Sequence, residues 1–92
     1  MRTPTIHLNG SSAEELQVKI EDAISAVFLA RNALMLCAPN ARDYYPQGEG
    51  AYAEAAREHD ARSKRLYDVQ NELNEIGESI VKHLEERARR KR

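Results

Sequence analysis

The sequence has few of the residues that mark disulfide-bonded, membrane-spanning or secreted proteins. Tryptophan is absent, and the single cysteine, Cys37, excludes an internal disulfide and is typical of a reducing compartment. The longest apolar-rich stretch, residues 26–38, contains Arg31 and Asn32 and is too short to span a bilayer. No apolar run follows Met1, so we expect no signal peptide. We therefore expect a soluble, cytoplasmic protein that does not bind membranes.

Charge bias and the motifs of common enzymes are also missing. The formal net charge is -1, which gives no global attraction to nucleic acid or acidic lipid. There is no glycine-rich phosphate loop, no HExxH and no metal-ligand spacing of histidines and cysteines. Cys37 lies on an apolar helical stripe, which favours a buried structural cysteine over a nucleophile. We expect no enzyme activity, no cofactor and no metal.

Two long segments with helical periodicity predict a single all-α domain. In the first, predicted to be helical over residues 12–38, apolar residues recur with alternating spacings of four and three. This stripe consists of Leu16, Ile20, Ala23, Val27, Ala30, Leu34 and Cys37. Ser11 or Ser12 is predicted to cap the helix, because a glutamate follows each serine three residues later. Pro39 is predicted to end it.

The second predicted helix covers residues 51–88 and has a similar stripe. Its members are Tyr52, Ala55, His59, Arg62, Leu66, Val69, Leu73, Ile76, Ile80 and His83. The basic tail, residues 87–92, suits either nucleic-acid phosphates or the C-terminus of a helix. We do not expect nucleic-acid binding, because the rest of the chain lacks a basic face with interleaved aromatic residues. Residues 1–10 are predicted to form an extended arm with Ile6 and Leu8 on one apolar side.

The first helix is apolar on nearly every side from residue 26 onward, a pattern typical of a buried helix. Two helices cannot bury it on all sides. We therefore predict a long antiparallel two-helix hairpin, with the extended N-terminal arm, that assembles into a symmetric homo-oligomer. The alternative is a monomer whose arm and loop fold back over the apolar surface.

The connection between the two helices, residues 39–50, is longer than a helical hairpin needs. It contains two of the five aromatic residues, which is unusual for a disordered linker. Its candidate ligand-binding residues are Asn40, Arg42, Asp43, Tyr44, Tyr45 and Gln47. The guanidinium group can pair with a phosphate, and the tyrosine rings can stack on a base. The amides and the carboxylate can hydrogen-bond to polar base edges or a ribose. The alternative is a loop that packs on its own helices.

Three further candidates lie on the helical stripes. His59 and Arg62 face inward on the second helix, and antiparallel pairing places Arg31 near them. Because buried charge is costly unless it is paired, these residues favour a polar pocket, an anion site or pairing across an oligomer axis. Alternatively, the long side chains reach solvent or pair with neighbouring acidic residues.

Two motifs resemble those of a group of small phage-encoded helical proteins. The motifs are IHLNGSS at residues 6–12 and APNARDYYPQG at residues 38–48. Members of this group carry an HLNG(S/T) start and an RDYYPQG loop. The resemblance implies a phage accessory protein acting in the host-cell cytoplasm, and it supplies no catalytic residues. A looser, architectural similarity links the chain to phage proteins that sequester cyclic-nucleotide immune signals of the CBASS and Thoeris defences.

The resulting hypothesis is a non-catalytic phage protein that binds and sequesters a nucleotide-derived immune signal, of the cyclic nucleotide or cyclic ADP-ribose type. The alternative is a helical interaction module that engages a host or phage protein and has no small ligand. A loop that binds a protein should be exposed at the end of the hairpin, whereas a loop that binds a small ligand should fold over a cavity.

Overall fold

The computed structural model describes residues 1–90, and it confirms the all-α prediction. Helix α1 spans Ala13–Met35, α2 spans Ala41–Tyr44, a single 3-10 turn spans Tyr45–Gln47, and α3 spans Ala51–Arg90. Residues 1–90 contain no β-strand. None of the helices within these residues has a stretch long and apolar enough to cross a membrane. The last two residues of the predicted basic tail, Lys91 and Arg92, lie outside the described residues.

Helix α1 has a defined cap at its start and a tight turn at its end. The backbone N–H of Glu15 donates to the hydroxyl oxygen of Ser12 at 3.1 Å, so the second of the two candidate serines is the cap. The helix ends at Met35, whereas the prediction extended it to Ala38. The next backbone N–H groups donate three residues back rather than four, so the chain tightens before it reaches Pro39.

The connection between α1 and α3 contains helical turns. Asn40 caps α2 with its amide oxygen, which accepts a hydrogen bond from the backbone N–H of Arg42 at 3.0 Å. Pro46 occupies the start of the 3-10 turn. Gly48 and Gly50 have φ angles of 105° and 86°, which other residues rarely adopt, so these glycines allow the chain to turn into α3.

Helices α1 and α3 pack side by side. The carboxylate of Glu14 near the start of α1 pairs with Arg87 near the end of α3. The guanidinium of Arg31 near the end of α1 donates to the amide oxygen of Gln70 at 2.6 Å. Residue numbers rise along α1 as they fall along α3, so the two helices run in opposite directions.

The face of α3 that packs on α1 differs in part from the predicted stripe. The less exposed positions recur with alternating spacings of three and four: Ser63, Leu66, Gln70, Leu73, Gly77, Ile80 and Leu84. Among these, Gln70 and Gly77 contact α1 directly. Arg62 and Val69 of the predicted stripe are exposed beside this face. A search for apolar residues finds Leu66, Leu73 and Ile80 of this face but passes over its serine, glutamine and glycine positions.

The N-terminal arm is not uniformly extended. Residues 3–6 and the α3 residues Ser79 and His83 line one open cleft, and Ile6 is half-buried. Residues 7–10 then form a turn in which the N–H of Gly10 donates to the carbonyl of His7 at 3.2 Å. The turn breaks the predicted alternation, so Leu8 does not share the buried side of Ile6 and is 98% exposed.

The described chain is elongated and has a thin core. Its dimensions are 67 × 23 × 21 Å, and its radius of gyration is 19.8 Å, against about 12 Å for a compact chain of this length. Among the described residues, Ala13 and Ile80 are the only fully buried apolar side chains. The accessible surface is 7273 Å², against about 5,400 Å² for a compact monomer of this mass. The single chain therefore leaves much apolar surface uncovered.

We expect Gly77→Ala to raise the free energy of unfolding by about 0.5–1 kcal/mol, because alanine is favoured over glycine in a helix interior. The added Cβ would lie 3.5 Å from Cγ2 of Ile20, which is ordinary van der Waals contact. Gly50→Ala is the matched control and should lower the free energy of unfolding, because its φ of +86° strains an L side chain. Urea unfolding followed by circular dichroism measures both changes, and destabilisation by Gly77→Ala would contradict the described packing.

Candidate functional site

An open cleft of about 380 Å³ lies between the connecting segment and the first turns of α3. Its lining residues are Cys37, Pro39, Tyr44, Gln47, Ala51, Glu54, Ala55, Glu58, His59 and Arg62. Four of the nine residues predicted from the sequence are among them: Tyr44, Gln47, His59 and Arg62. The structure thus brings together predicted residues from two separate segments of the chain.

The cleft is present because α3 extends past the end of α1. Leu34 and Met35, at the end of α1, line a small cavity with Ser63 of α3. The preceding turns of α3 lie beyond that point, and their residues line the cleft together with Tyr44 of α2 and Gln47 of the 3-10 turn. The cap at Asn40 and the proline at position 46 set the direction of these short elements, which place Tyr44 and Gln47 opposite α3.

His59 is the most distinctive residue of the cleft. It is 9% exposed and is the one polar residue in the buried class among residues 1–90. Its side chain has no hydrogen bond or ion pair with any described residue. No buried side-chain nitrogen or oxygen in the described part of the chain lacks a partner, so the unpartnered ring nitrogens retain access to solvent. That access lies in the cleft, where a neutral imidazole offers one donor and one acceptor to a ligand.

The charges of the cleft are mixed. Arg62 lies 3.6 Å from the carboxylate of Glu58, and both side chains are about half exposed, at 52% and 56%. Such an exposed pair contributes little to stability, so the guanidinium remains available to a ligand. Glu54 adds a second carboxylate to the lining. Two carboxylates and one guanidinium suit hydroxyl and amino donors better than a group of several phosphates.

Four predicted residues of the connecting segment do not line the cleft. Asn40 is occupied as the cap of α2, and its amide oxygen also accepts from Nε of Arg42 at 3.4 Å. Arg42 and Asp43 are exposed on α2. Tyr45 follows Tyr44 directly but is 77% exposed, because the change from α-helix to 3-10 turn directs it to solvent.

Arg31 lies away from His59 and Arg62. Besides its bond to Gln70, its guanidinium carbon lies 4.9 Å from the centre of the Tyr67 ring, a cation–π contact. The prediction placed these three residues together from antiparallel pairing alone, without knowledge of the register between the two helices. The longer overhang of α3 shifts the pairing, so Arg31 meets a part of α3 about two turns further along.

Six lining residues were not among the predicted site residues, and three of these, Cys37, Glu54 and Glu58, carry a thiol or a carboxylate. Cys37 was expected to be buried on the α1 stripe, but α1 ends before it and the cysteine is exposed. Glu54 and Glu58 precede Arg62 at spacings of four, so the three share one helical face. That spacing could have predicted from the sequence that both carboxylates lie beside Arg62.

No model of a known protein family matches the chain, and comparisons with curated proteins and with solved structures also give no match. In the described part of the chain, no group of three or more histidine, cysteine, aspartate or glutamate side chains is arranged to hold a metal ion. The role of the cleft therefore has to be inferred from its own geometry.

We expect Cys37 to react with a thiol reagent in the native protein without denaturant, because the structure exposes it beside the cleft. Titration with 5,5′-dithiobis(2-nitrobenzoic acid) measures the reaction, and Cys37→Ser is the control for background colour. A thiol that reacts only after unfolding would show that Cys37 is buried, as the α1 stripe suggested.

Proposed function

We propose that this chain is a non-catalytic protein that binds a small, nucleotide-derived molecule in the cleft between the connecting segment and α3. The observation that carries the proposal is His59, a buried imidazole without a protein partner that faces a polar cleft. The ring nitrogens of His59 have no partner in the described chain and are not sealed from solvent, so a ligand in the cleft can exchange hydrogen bonds with them. The cleft volume of about 380 Å³ is in the range of small-molecule sites.

Each part of a nucleotide has a suitable neighbour in the cleft. Tyr44 offers a ring on which a base can stack, an interaction that contributes about 1–3 kcal/mol. His59 and Gln47 can donate to and accept from the polar edge of the base. Glu54 and Glu58 can accept hydrogen bonds from ribose hydroxyls or an amino group.

Arg62 is the one guanidinium among the lining residues, so it matches a ligand with one or two phosphates rather than a longer chain. A cyclic nucleotide or a cyclic ADP-ribose type molecule fits these features.

We further propose that binding serves sequestration: a phage accessory protein that withdraws an immune signal in the cytoplasm of a host cell. The resemblance of residues 6–12 and 38–48 to small phage-encoded proteins supports this part of the proposal.

We also propose that α1, the connection and α3 form a helical hairpin with an N-terminal arm, and that copies of it assemble symmetrically. The large accessible surface of the single chain supports assembly.

A second candidate function is a protein-interaction module without a small ligand. The observation in its favour is the exposure of large apolar side chains on α1 and at its end, with Leu29 66%, Met35 70% and Leu36 91% exposed. Contiguous apolar surface of this kind marks sites of protein contact. Ten of the twelve residues of the connecting segment are exposed, as the second candidate requires. Pro39, Tyr44 and Gln47 of the same segment line the cleft, as the first candidate requires.

Native mass spectrometry and calorimetry with a panel of cyclic di- and trinucleotides and cyclic ADP-ribose isomers test the proposal. We expect one ligand per chain, and we expect Tyr44→Ala and His59→Gln to weaken the dissociation constant about tenfold or more through loss of stacking and hydrogen bonds. Tyr45→Ala and Arg42→Ala are the matched controls outside the cleft and should bind as wild type does. Circular dichroism confirms that each variant folds.

Two results would contradict the proposal. Wild-type protein that takes up none of the panel would argue against a nucleotide-derived ligand. Controls that lose binding as fully as the cleft variants would place the site outside the cleft.

A further inference from the structure

An outer stripe of exposed, mostly apolar residues lies on α1 beside its contact with α3, where Phe28, Asn32 and Met35 also line the small cavity at Ser63. We define the outer stripe as Phe28, Leu29, Asn32, Met35 and Leu36. The exposed fractions of its four apolar members, in chain order, are 51%, 66%, 70% and 91%. All four are large side chains grouped within little more than two helical turns. Their exposure distinguishes them from Arg31 and Leu34, which are partly buried in the same turns.

The outer stripe is symmetric about Asn32. Leu29 and Met35 lie three residues before and after it, and Phe28 and Leu36 lie four residues before and after it. Leu36 follows the last residue of α1 but keeps a right-handed helical backbone, with φ -72° and ψ -15°. The order of apolar and polar positions is therefore the same in both directions along the helix.

A stripe with this symmetry is complementary to itself. When two identical helices pair in opposite directions about Asn32, Leu29 lies on the same side of the interface as Leu36 of the partner subunit, and Phe28 lies on the same side as Met35 of the partner subunit. Around a two-fold axis each apolar residue of the stripe meets another apolar residue of the same stripe. A second copy of this chain can therefore cover all four apolar side chains.

Asn32, at the centre of the outer stripe, also favours a second copy of this chain as the partner. Its amide is both a donor and an acceptor, so two copies can exchange a pair of hydrogen bonds across a two-fold axis. A single asparagine in an otherwise apolar helical interface fixes the register, because any shift leaves its amide without a partner. In the single chain Asn32 is exposed, and its side-chain amide has no hydrogen bond with a described residue.

The surface area of the chain agrees with one such interface. The accessible surface of 7273 Å² exceeds the value for a compact monomer of the same mass by about 1,800 Å². A stable interface of standard size buries about 800 Å² on each partner. One interface of that size would remove nearly half of the excess.

We propose that two copies of this chain associate through the outer stripe, with their α1 helices antiparallel about a two-fold axis at Asn32. This inference rests on the symmetric assembly proposed above and names its interface. The cleft proposed to bind the ligand is lined by residues 37–62, outside the stripe, so assembly and ligand binding can fail separately.

The first test compares two substitutions of exposed apolar residues on α1 by analytical ultracentrifugation of the full chain. Leu29→Glu buries two carboxylates in the interface and should raise the dissociation constant of the dimer roughly 100-fold. Val18→Glu is the matched control, because Val18 is 58% exposed on α1 but lies outside the stripe. It should leave the dimer unchanged. A monomeric wild type, or equal dissociation by both variants, would overturn the proposal.

The second test determines the direction of pairing with cysteine cross-linking in a Cys37→Ser background. Asn32→Cys should form a disulfide between copies under mild oxidation, because position 32 meets its own copy at the axis. Ser25→Cys is the control: two antiparallel copies of position 25 would be about 20 Å apart along the helices. Efficient cross-linking through Ser25→Cys would show parallel or different pairing. A larger assembly whose pairs are linked through Asn32→Cys would support the proposal.

Discussion

The difference in length between α1 and α3 constrains the position of every other element. α1 has 23 residues and α3 has 40. The contacts from Glu14 to Arg87 and from Arg31 to Gln70 set the register between the two helices. With that register, the first turns of α3 extend beyond α1, and residues 39–50 fold against them instead. The cleft is a consequence of this overhang, since a shorter α3 would leave the connecting segment nothing to pack on.

The same two-helix arrangement leaves a thin hydrophobic core. Partly buried residues line the contact between α1 and α3, but Ala13 and Ile80 alone among the described apolar residues are fully buried. Helices of this kind gain most of their stability from covering an apolar face, and one face of α1 remains uncovered. Self-association through that face would supply the missing burial. The surface proposed for assembly and the cleft proposed for the ligand lie on separate residues, so each can be altered without the other.

Periodicity in the sequence was sufficient to predict an all-helical chain, but it could not give the register between the helices. Stripes that repeat every seven residues pair almost equally well after a shift of one repeat, so nothing in the pattern placed Arg31 beside Gln70 rather than near His59. The packed face of α3 was partly missed because Ser63, Gln70 and Gly77 interrupt its apolar character. The end of α1 was placed too late because Pro39 acts directly on the preceding residue, whereas the chain had already tightened after Met35.

In the candidate site, too, the sequence was sufficient to predict some residues but not others. Tyr44 and Gln47 line the cleft, whereas Tyr45 and Arg42 do not, since the directions of neighbouring side chains depend on the short α2 helix and the 3-10 turn. Residue type alone could not tell which of these four residues line the cleft. Glu54 and Glu58 change the electrostatic character of the cleft, and only their position beside Arg62 on one helical face connects them to it.

The most direct test of the central claim is nuclear magnetic resonance of the three histidine side chains during titration with the cyclic nucleotide panel. His7 and His83 lie outside the cleft and act as internal controls in the same sample. If the cleft binds the ligand, the ring resonances of His59 shift and saturate at one ligand per chain, while those of His7 and His83 stay in place. If bound ligand leaves His59 unchanged, or moves all three histidines alike, the account of the cleft is wrong.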